Sequence, residues 1–150
     1  VELVATDLSE AALERARAGI YSAFEVQRGM PIRTLLRHFA PLGERWQIAD
    51  SLRRRVAFES FNLLDDPTPL GVFDAVFCRN VLMYLEACHR YAVLERMASV
   101  LAPDGVLILD PTEHLGKAGH LFAHRADSIY SSLSGSCGRR QLVAGGRSLD

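Results

Sequence analysis

The sequence predicts an α/β domain built on a parallel sheet. Short apolar runs at 1–6, 56–61, 73–77 and 106–109 have the length and composition of buried strands. Segments of helical spacing separate them. Three of the runs close on polar residues: Asp7, Asn62 and the pair Arg79-Asn80. Short strands alternating with helices imply a parallel sheet with helices on both faces.

Each element has a local reason. The run 1–6 stops at Asp7. Ser9 is a good N-cap and Glu10 suits the positive end of a helix over about 10–19. Ala12, Leu13, Ala16 and Ile20 share one face of it, and Gly19 sits where it would stop. Residues 22–55 are less regular. Met30-Pro31 breaks the chain, Ile32, Leu35, Leu36 and Phe39 have helical spacing, and Pro41 and Gly43 mark a turn. Trp46-Gln47-Ile48 and the stretch 52–57 are short strand candidates, and Arg53-Arg54-Arg55 reads as a solvated turn. The strand 56–61 ends at Asn62-Leu63-Leu64, and a loop with two prolines follows. The run 73–77 closes at Cys78-Arg79-Asn80. A long helix is expected over about 86–101, with Tyr91, Leu94, Met97, Ala98 and Leu101 at core spacing. Pro103-Asp104-Gly105 makes the turn into the strand 106–109. Residues 120–123 and 128–133 are expected to pair as antiparallel strands, and 134–150, rich in Gly, Ser and Arg, to form a flexible tail.

Composition narrows the function classes. With 150 residues, 49% apolar and 23% charged, the chain has the make-up of one ordinary globular domain. A net charge of −1 gives no reason to expect nucleic acid or a membrane surface as a partner. The positive charge is nearly all arginine, Lys117 being the only lysine. Cys78, Cys88 and Cys137 are odd in number and irregularly spaced, and the five histidines show no metal-ligand spacing. No metal and no structural disulfide are therefore expected, and the compartment is expected to be the cytoplasm. No apolar run approaches the roughly 20 residues that span a bilayer, so no direct membrane insertion is expected. A chain that opens on the first residue of a buried strand is expected to be a fragment.

Ligands of doubly wound sheets bind beyond the carboxyl ends of the strands, which is where the polar residues fall. Asp7 suits a ribose diol, because one carboxylate accepts hydrogen bonds from two neighbouring hydroxyls. It equally suits an ordinary cap of the following helix. Asn62 offers a donor and an acceptor in one plane, as an adenine edge requires, or satisfies a turn. Arg79 and Asn80 read either as cleft residues or as an ion pair and a cap for the next helix.

Together these segments resemble a known family. Ala-Thr-Asp-Leu-Ser (5–9), Ala-Arg-Ala-Gly-Ile-Tyr (16–21), Phe-Asn-Leu-Leu (61–64), Phe-Asp-Ala-Val-Phe-Cys-Arg-Asn-Val-Leu-Met-Tyr-Leu (73–85) and Leu-Ala-Pro-Asp-Gly-Val-Leu (101–107) occur in order. This is similar to the CheR-type chemotaxis receptor (protein-glutamate) methyltransferases, over about 1–133. The resemblance implies a class I S-adenosylmethionine-dependent methyltransferase fold, a Rossmann-like sheet. It implies Asp7 on the cofactor ribose, Asn62 and Leu63 beside the adenine, and Arg79 and Asn80 lining the cofactor cleft. It places Tyr84 near the transferred methyl group and the substrate; without it, Tyr84 reads equally as a ring packed at a helix start. It matches about 36–58 to a small antiparallel β subdomain, which in some members docks on a receptor's C-terminal pentapeptide. The turn near Pro41 is short, which favours a member without that tether. The implied partners are receptor cytoplasmic helices carrying glutamates, and the implied product is S-adenosylhomocysteine.

Departures from the family pattern carry expectations too. The Gly-rich first strand and loop, with its Gly-Glu-Glu run, has no counterpart in the sequence, and neither does the N-terminal helical domain. The sheet is therefore expected to be incomplete, with two apolar edges open to self-association and weak or no cofactor binding by this chain alone. The family's Gly-His-Ser-Glu after the fourth apolar run is here Asp110-Pro111-Thr112-Glu113, with only Glu113 kept. Two other functions remain open: a non-catalytic, degenerate interaction module of the same fold, and a small-molecule methyltransferase.

Overall fold

The computed structural model describes residues 1–133, and the chain divides into two compact units, Val1–Asn62 and Leu63–Asp150. The first contains β1 (Leu3–Asp7), α1 (Glu10–Ala18), β2 (Ile20–Ser22), α2 (Ala23–Gln27), α3 (Ile32–His38), β3 (Phe39–Leu42), β4 (Arg45–Ile48), α4 (Asp50–Arg53) and β5 (Val56–Ser60). Strands β1 and β5 pair in parallel, Leu3 opposite Val56 and Asp7 opposite Ser60. Strands β2, β4 and β3 form an antiparallel sheet in that order.

Helix α1 forms as its ends dictate. The Ser9 hydroxyl accepts from the Ala12 N–H at 3.3 Å, and Gly19, left-handed at φ 63°, donates its N–H to the Arg15 carbonyl at 3.0 Å. Gly19 is also sterically required, since a Cβ there would lie 2.6 Å from Ile48 Cγ2. Leu13 is the buried residue of the helix.

The stretch 22–55 is more regular than expected. Ser22 and Glu25 form a reciprocal capping box that starts α2. The strand candidate at 52–57 is corrected: 50–53 is helical, and only from Val56 is the chain extended. Asp50 explains the change, accepting from Arg53 at 2.6 Å and Arg54 at 3.4 Å across one helical turn. Nor is the arginine cluster a merely solvated turn. Arg53 Nη1 donates to the carbonyls of Arg17 and Ala18, closing the end of α1.

The second unit contains β6 (Phe73–Cys78), α5 (Ala87–Val100), β7 (Leu101–Leu109), β8 (Phe122–Ala126) and β9 (Ile129–Ser132), with 3-10 turns at Thr68–Leu70, Leu82–Tyr84 and Gly116–Leu121. The sheet order is β6-β7-β9-β8, with β6 and β7 parallel and the rest antiparallel. The expected turn at Pro103-Asp104-Gly105 is corrected, because it lies inside β7. The ladder absorbs it as an irregularity, Phe73 facing Leu101 and Ala75 facing Val106. Val93, Leu94, Met97 and Ala98 of α5 share a core with Cys78, Leu82, Leu101, Leu107, Leu109, Ala118 and Phe122, against which Leu63 and Leu64 pack.

Two strands expected to be buried are not. Leu3 and Val4 in β1 are 48% and 36% exposed, and Phe77 in β6 is 72% exposed. Each strand has one strand neighbour among the described residues, β5 for β1 and β7 for β6, so one backbone edge of each stays open. The tail expected over 134–150 lies outside the described residues.

Candidate functional site

In the first unit, two of the singled-out residues share one strand-end edge. Asp7 closes β1, and Asn62 stands two residues past Ser60, the register partner of Asp7. The Phe61 N–H donates to the Asp7 carbonyl at 3.1 Å, carrying the ladder one bond further. Asp7 Oδ1 accepts from the Ser9 N–H at 2.8 Å, so half of the carboxylate braces the entry to α1. Asp7 is exposed, and no hydrogen bond to a described residue involves Oδ2. The carboxylate thus serves the turn through one oxygen and leaves the other without a described partner.

In the second unit, β6 and β7 run parallel with Cys78 opposite Leu109, which brings the residues after them side by side. Arg79 Nη2 donates to Asp110 Oδ2 at 3.0 Å. Asp110 Oδ1 accepts from the Thr112 N–H at 3.0 Å and the Thr112 hydroxyl at 2.7 Å. These Thr112 bonds, and then Arg79, hold the Asp110 carboxyl below the usual carboxylate range. The ion-pair alternative for Arg79 is therefore met. The cap alternative for Asn80 is not: the following 3-10 turn starts at Val81 without a side-chain cap. Asn80 has φ 59°, a left-handed conformation that asparagine tolerates better than most residues, and its side chain is exposed.

Glu113 takes the place of that cap. The residue is only 5% exposed. Its Oε1 accepts from the N–H groups of Val81 at 2.9 Å and Leu82 at 2.8 Å. Its Oε2 accepts from Asn80 at 3.0 Å and Asp110 at 3.2 Å. The sequence signal was Glu113 surviving in a loop that otherwise departs from the family pattern. Residue type alone did not reveal that its partners are backbone groups of a segment more than 30 positions away.

Tyr84 ends the 3-10 turn Leu82–Tyr84 and is 80% exposed, so its ring is not packed at a helix start. Leu63 packs against the core of the second unit. Cys78 is buried, and burial with the nearby Glu113 carboxylate pushes its thiol up to about 12. It is therefore no nucleophile. Cys88 is exposed and free. Ligand atoms of Glu86, Cys88 and His89, which no metal-ligand spacing marks in the sequence, lie within 4.8 Å of one another at the start of α5, all exposed.

The family profile described as "CheR methyltransferase, SAM binding domain" matches residues 1–130. The chain is 44% identical over 115 residues to "Chemotaxis protein methyltransferase Cher2" of Pseudomonas putida, covering 76% of this chain and 42% of that one. It is 43% identical over 116 residues to "Chemotaxis protein methyltransferase 1" of Pseudomonas aeruginosa, covering 77% of this chain and 42% of the relative. "Probable biofilm formation methyltransferase WspC" of P. aeruginosa is 37% identical over 114 residues, covering 75% of this chain and 27% of that protein. The chain thus spans less than half the length of these relatives. Among the described residues no helix is long and apolar enough to cross a membrane. With the profile running through both units, the chain belongs to the CheR methyltransferase family and corresponds to its S-adenosylmethionine-binding domain.

Proposed function

We propose that the protein carrying this chain is an S-adenosylmethionine-dependent protein-glutamate O-methyltransferase acting on chemotaxis-type receptors. Residues 1–133 are part of its methyltransferase domain, with about 36–58 as a small β subdomain insertion. Asp7 holds the cofactor ribose, Asn62 and Leu63 flank the adenine, Arg79 and Asn80 line the cleft, and Tyr84 meets the substrate. The observation that carries this reading is Asp7: an exposed acid at a parallel strand end, within a family-matched chain, with one carboxylate oxygen left for a ribose hydroxyl. The chemistry of the other residues fits the same cofactor. Asn62 stands just past the end of the neighbouring strand, and Tyr84 is exposed.

The chemistry asks little of the protein beyond placement. When bound, S-adenosylmethionine supplies an electrophilic methyl group on a sulfonium, leaving S-adenosylhomocysteine. A glutamate carboxylate, with a free pKa of about 4.3, is already ionised near neutral pH and needs no general base. The buried, neutral Cys78 thiol and the absence of any required nucleophile–base pair agree with catalysis by orientation and water exclusion. Tyr84 orients the carboxylate and takes no proton. Arg79, half-occupied by Asp110, retains guanidinium donors for an anionic group.

We infer a cytoplasmic enzyme whose partners are receptor helices carrying glutamates. The two-residue turn between β3 and β4 supports a member that works without a pentapeptide tether. The open edges of β1 and β6 support self-association of the 150-residue chain by itself.

The test is transfer of a tritiated methyl group by the full-length protein to receptor cytoplasmic fragments. Base-labile label on glutamates supports the reading. Label only on small carboxylic acids favours a small-molecule methyltransferase, and no transfer with any acceptor favours the degenerate module. Either result overturns it.

A further inference from the structure

We propose that Glu113 and Arg90 are positioning residues: together they clamp the segment 79–85 and so set the geometry of Arg79, Asn80 and Tyr84. This deepens the functional reading above and rests on its assignment of those three residues.

The clamp works on both polarities of the backbone. After β6 ends, the chain turns through the left-handed Asn80 into a single 3-10 turn. Such a turn leaves its first N–H groups without partners. No Ser, Thr or Asp side chain caps it locally, since Val81 holds the cap position. Glu113 supplies the acceptors from another loop, taking the N–H groups of Asn80, Val81 and Leu82 at 2.8–3.0 Å. Its fourth bond, from the Asp110 N–H at 3.2 Å, ties the same carboxylate to the end of β7. Two bonds fall on each oxygen, which fixes the carboxylate plane. Arg90 in α5 works from the other side. Its Nε donates to the Leu82 carbonyl at 3.1 Å and its Nη2 to the Leu85 carbonyl at 3.2 Å. Five backbone bonds from two charged side chains therefore hold a stretch with little regular structure of its own, and a sixth ties Glu113 to Asp110. The hydrogen bonds of both side chains go to backbone groups and none to the side chains of Arg79, Asn80 or Tyr84, which distinguishes positioning from ligand binding.

A neutral amide at 113 cannot replace the carboxylate. Glutamine has one acceptor oxygen, and its NH2 would point donors at two of the N–H groups. The left-handed Asn80 would then lose the bonds that hold it, and Arg79 and Tyr84 would move with it.

The test is calorimetric titration of S-adenosylhomocysteine into the full-length protein, at a temperature where circular dichroism shows each variant folded. The variants are Glu113→Gln, Glu113→Asp, Arg90→Met and Val93→Ala. The last is a core truncation that loosens the same unit and removes no hydrogen bond of the clamp. The clamp predicts at least tenfold weaker binding for folded Glu113→Gln, a smaller loss for Glu113→Asp, which keeps the charge but is one methylene short, and parent affinity for Val93→Ala. Arg90→Met gives an independent measure if neither Glu113 variant folds, and a loss of at least tenfold is expected there also. Parent affinity in any folded Glu113 variant, or in Arg90→Met, overturns the proposal. Arg79→Ala and Asn80→Ala separate the two levels. If both bind like the parent, the assignment of the pair to the cofactor cleft fails; if they weaken binding while the clamp variants do not, only the clamp fails.

Discussion

Gly105 of β7 packs against the backbone of β6, and replacing it with alanine measures how tightly their register is fixed. A Cβ at this position would lie 2.8 Å from the Phe73 carbonyl oxygen, 3.0 Å from the Ala102 nitrogen and 3.1 Å from the Ala102 oxygen. All three are backbone atoms, so no side chain can swing aside. Relief requires moving β7 against β6 where the ladder already absorbs the Pro103-Asp104-Gly105 irregularity. Overpacking of this kind costs about 1–3 kcal/mol. The lower chain entropy of alanine in the unfolded state returns roughly 0.4–1 kcal/mol. A net loss of about 1–2 kcal/mol corresponds to a Tm roughly 2–8 °C lower for a domain of this size. Thermal melting by circular dichroism reads it directly, with Gly119→Ala as the control. Gly119 has nothing within 4 Å of an added Cβ and no left-handed backbone, so that variant should melt about 1–4 °C above the parent. If Gly105→Ala melts as high as the control, the account of the β6–β7 register is wrong. That register also sets Arg79 beside Asp110.

The remaining predictions use simpler perturbations. Thiol labelling of the native protein near pH 8, mapped by mass spectrometry, should modify Cys88 and spare Cys78 until the fold is denatured; fast labelling of Cys78 would contradict its burial and raised pKa. Leu94→Ala, at a side chain with no exposure, should cost about 2–5 kcal/mol in urea unfolding, and a loss under 1 kcal/mol would mean the core is elsewhere. Asp110 has a folded pKa held below its ordinary 3.8 by Thr112 and Arg79, so its contribution to stability is complete above about pH 4 and disappears as pH falls through the lowered value. The Tm difference between parent and Asp110→Asn should therefore be constant from pH 5 to 7 and shrink below pH 4; a difference that grows on acidification would refute the sign.

Elements whose signals are local were legible in the sequence. Ser9 and Gly19 bound α1 as their chemistry predicts, and the apolar spacing at Leu94, Met97 and Ala98 marks the buried face of α5. The strand ends placed Asp7, Asn62 and Arg79-Asn80 at carboxyl edges because a parallel strand running into a polar residue is a local pattern. What was missed depends on distant partners. The capping box of Ser22 and Glu25 was visible as a spacing, but β2 exists only because Ile20–Ser22 finds β4, more than 20 residues on. The helical turn at 50–53 wins over strand spacing because one carboxylate, Asp50, binds two of the arginines. Glu113 shows the limit most clearly. Its identity was noted in a divergent loop, yet its role depends on β6 and β7 delivering two loops to the same place.

The most direct measurement is a calorimetric titration of S-adenosylhomocysteine into the full-length protein and its Asp7→Ala variant. The parent is predicted to bind with micromolar affinity, and Asp7→Ala, in a protein that still melts cooperatively, at least tenfold more weakly. Equal affinity in the two proteins would contradict the assignment of the β1 carboxylate to the cofactor ribose, and with it the placement of the site.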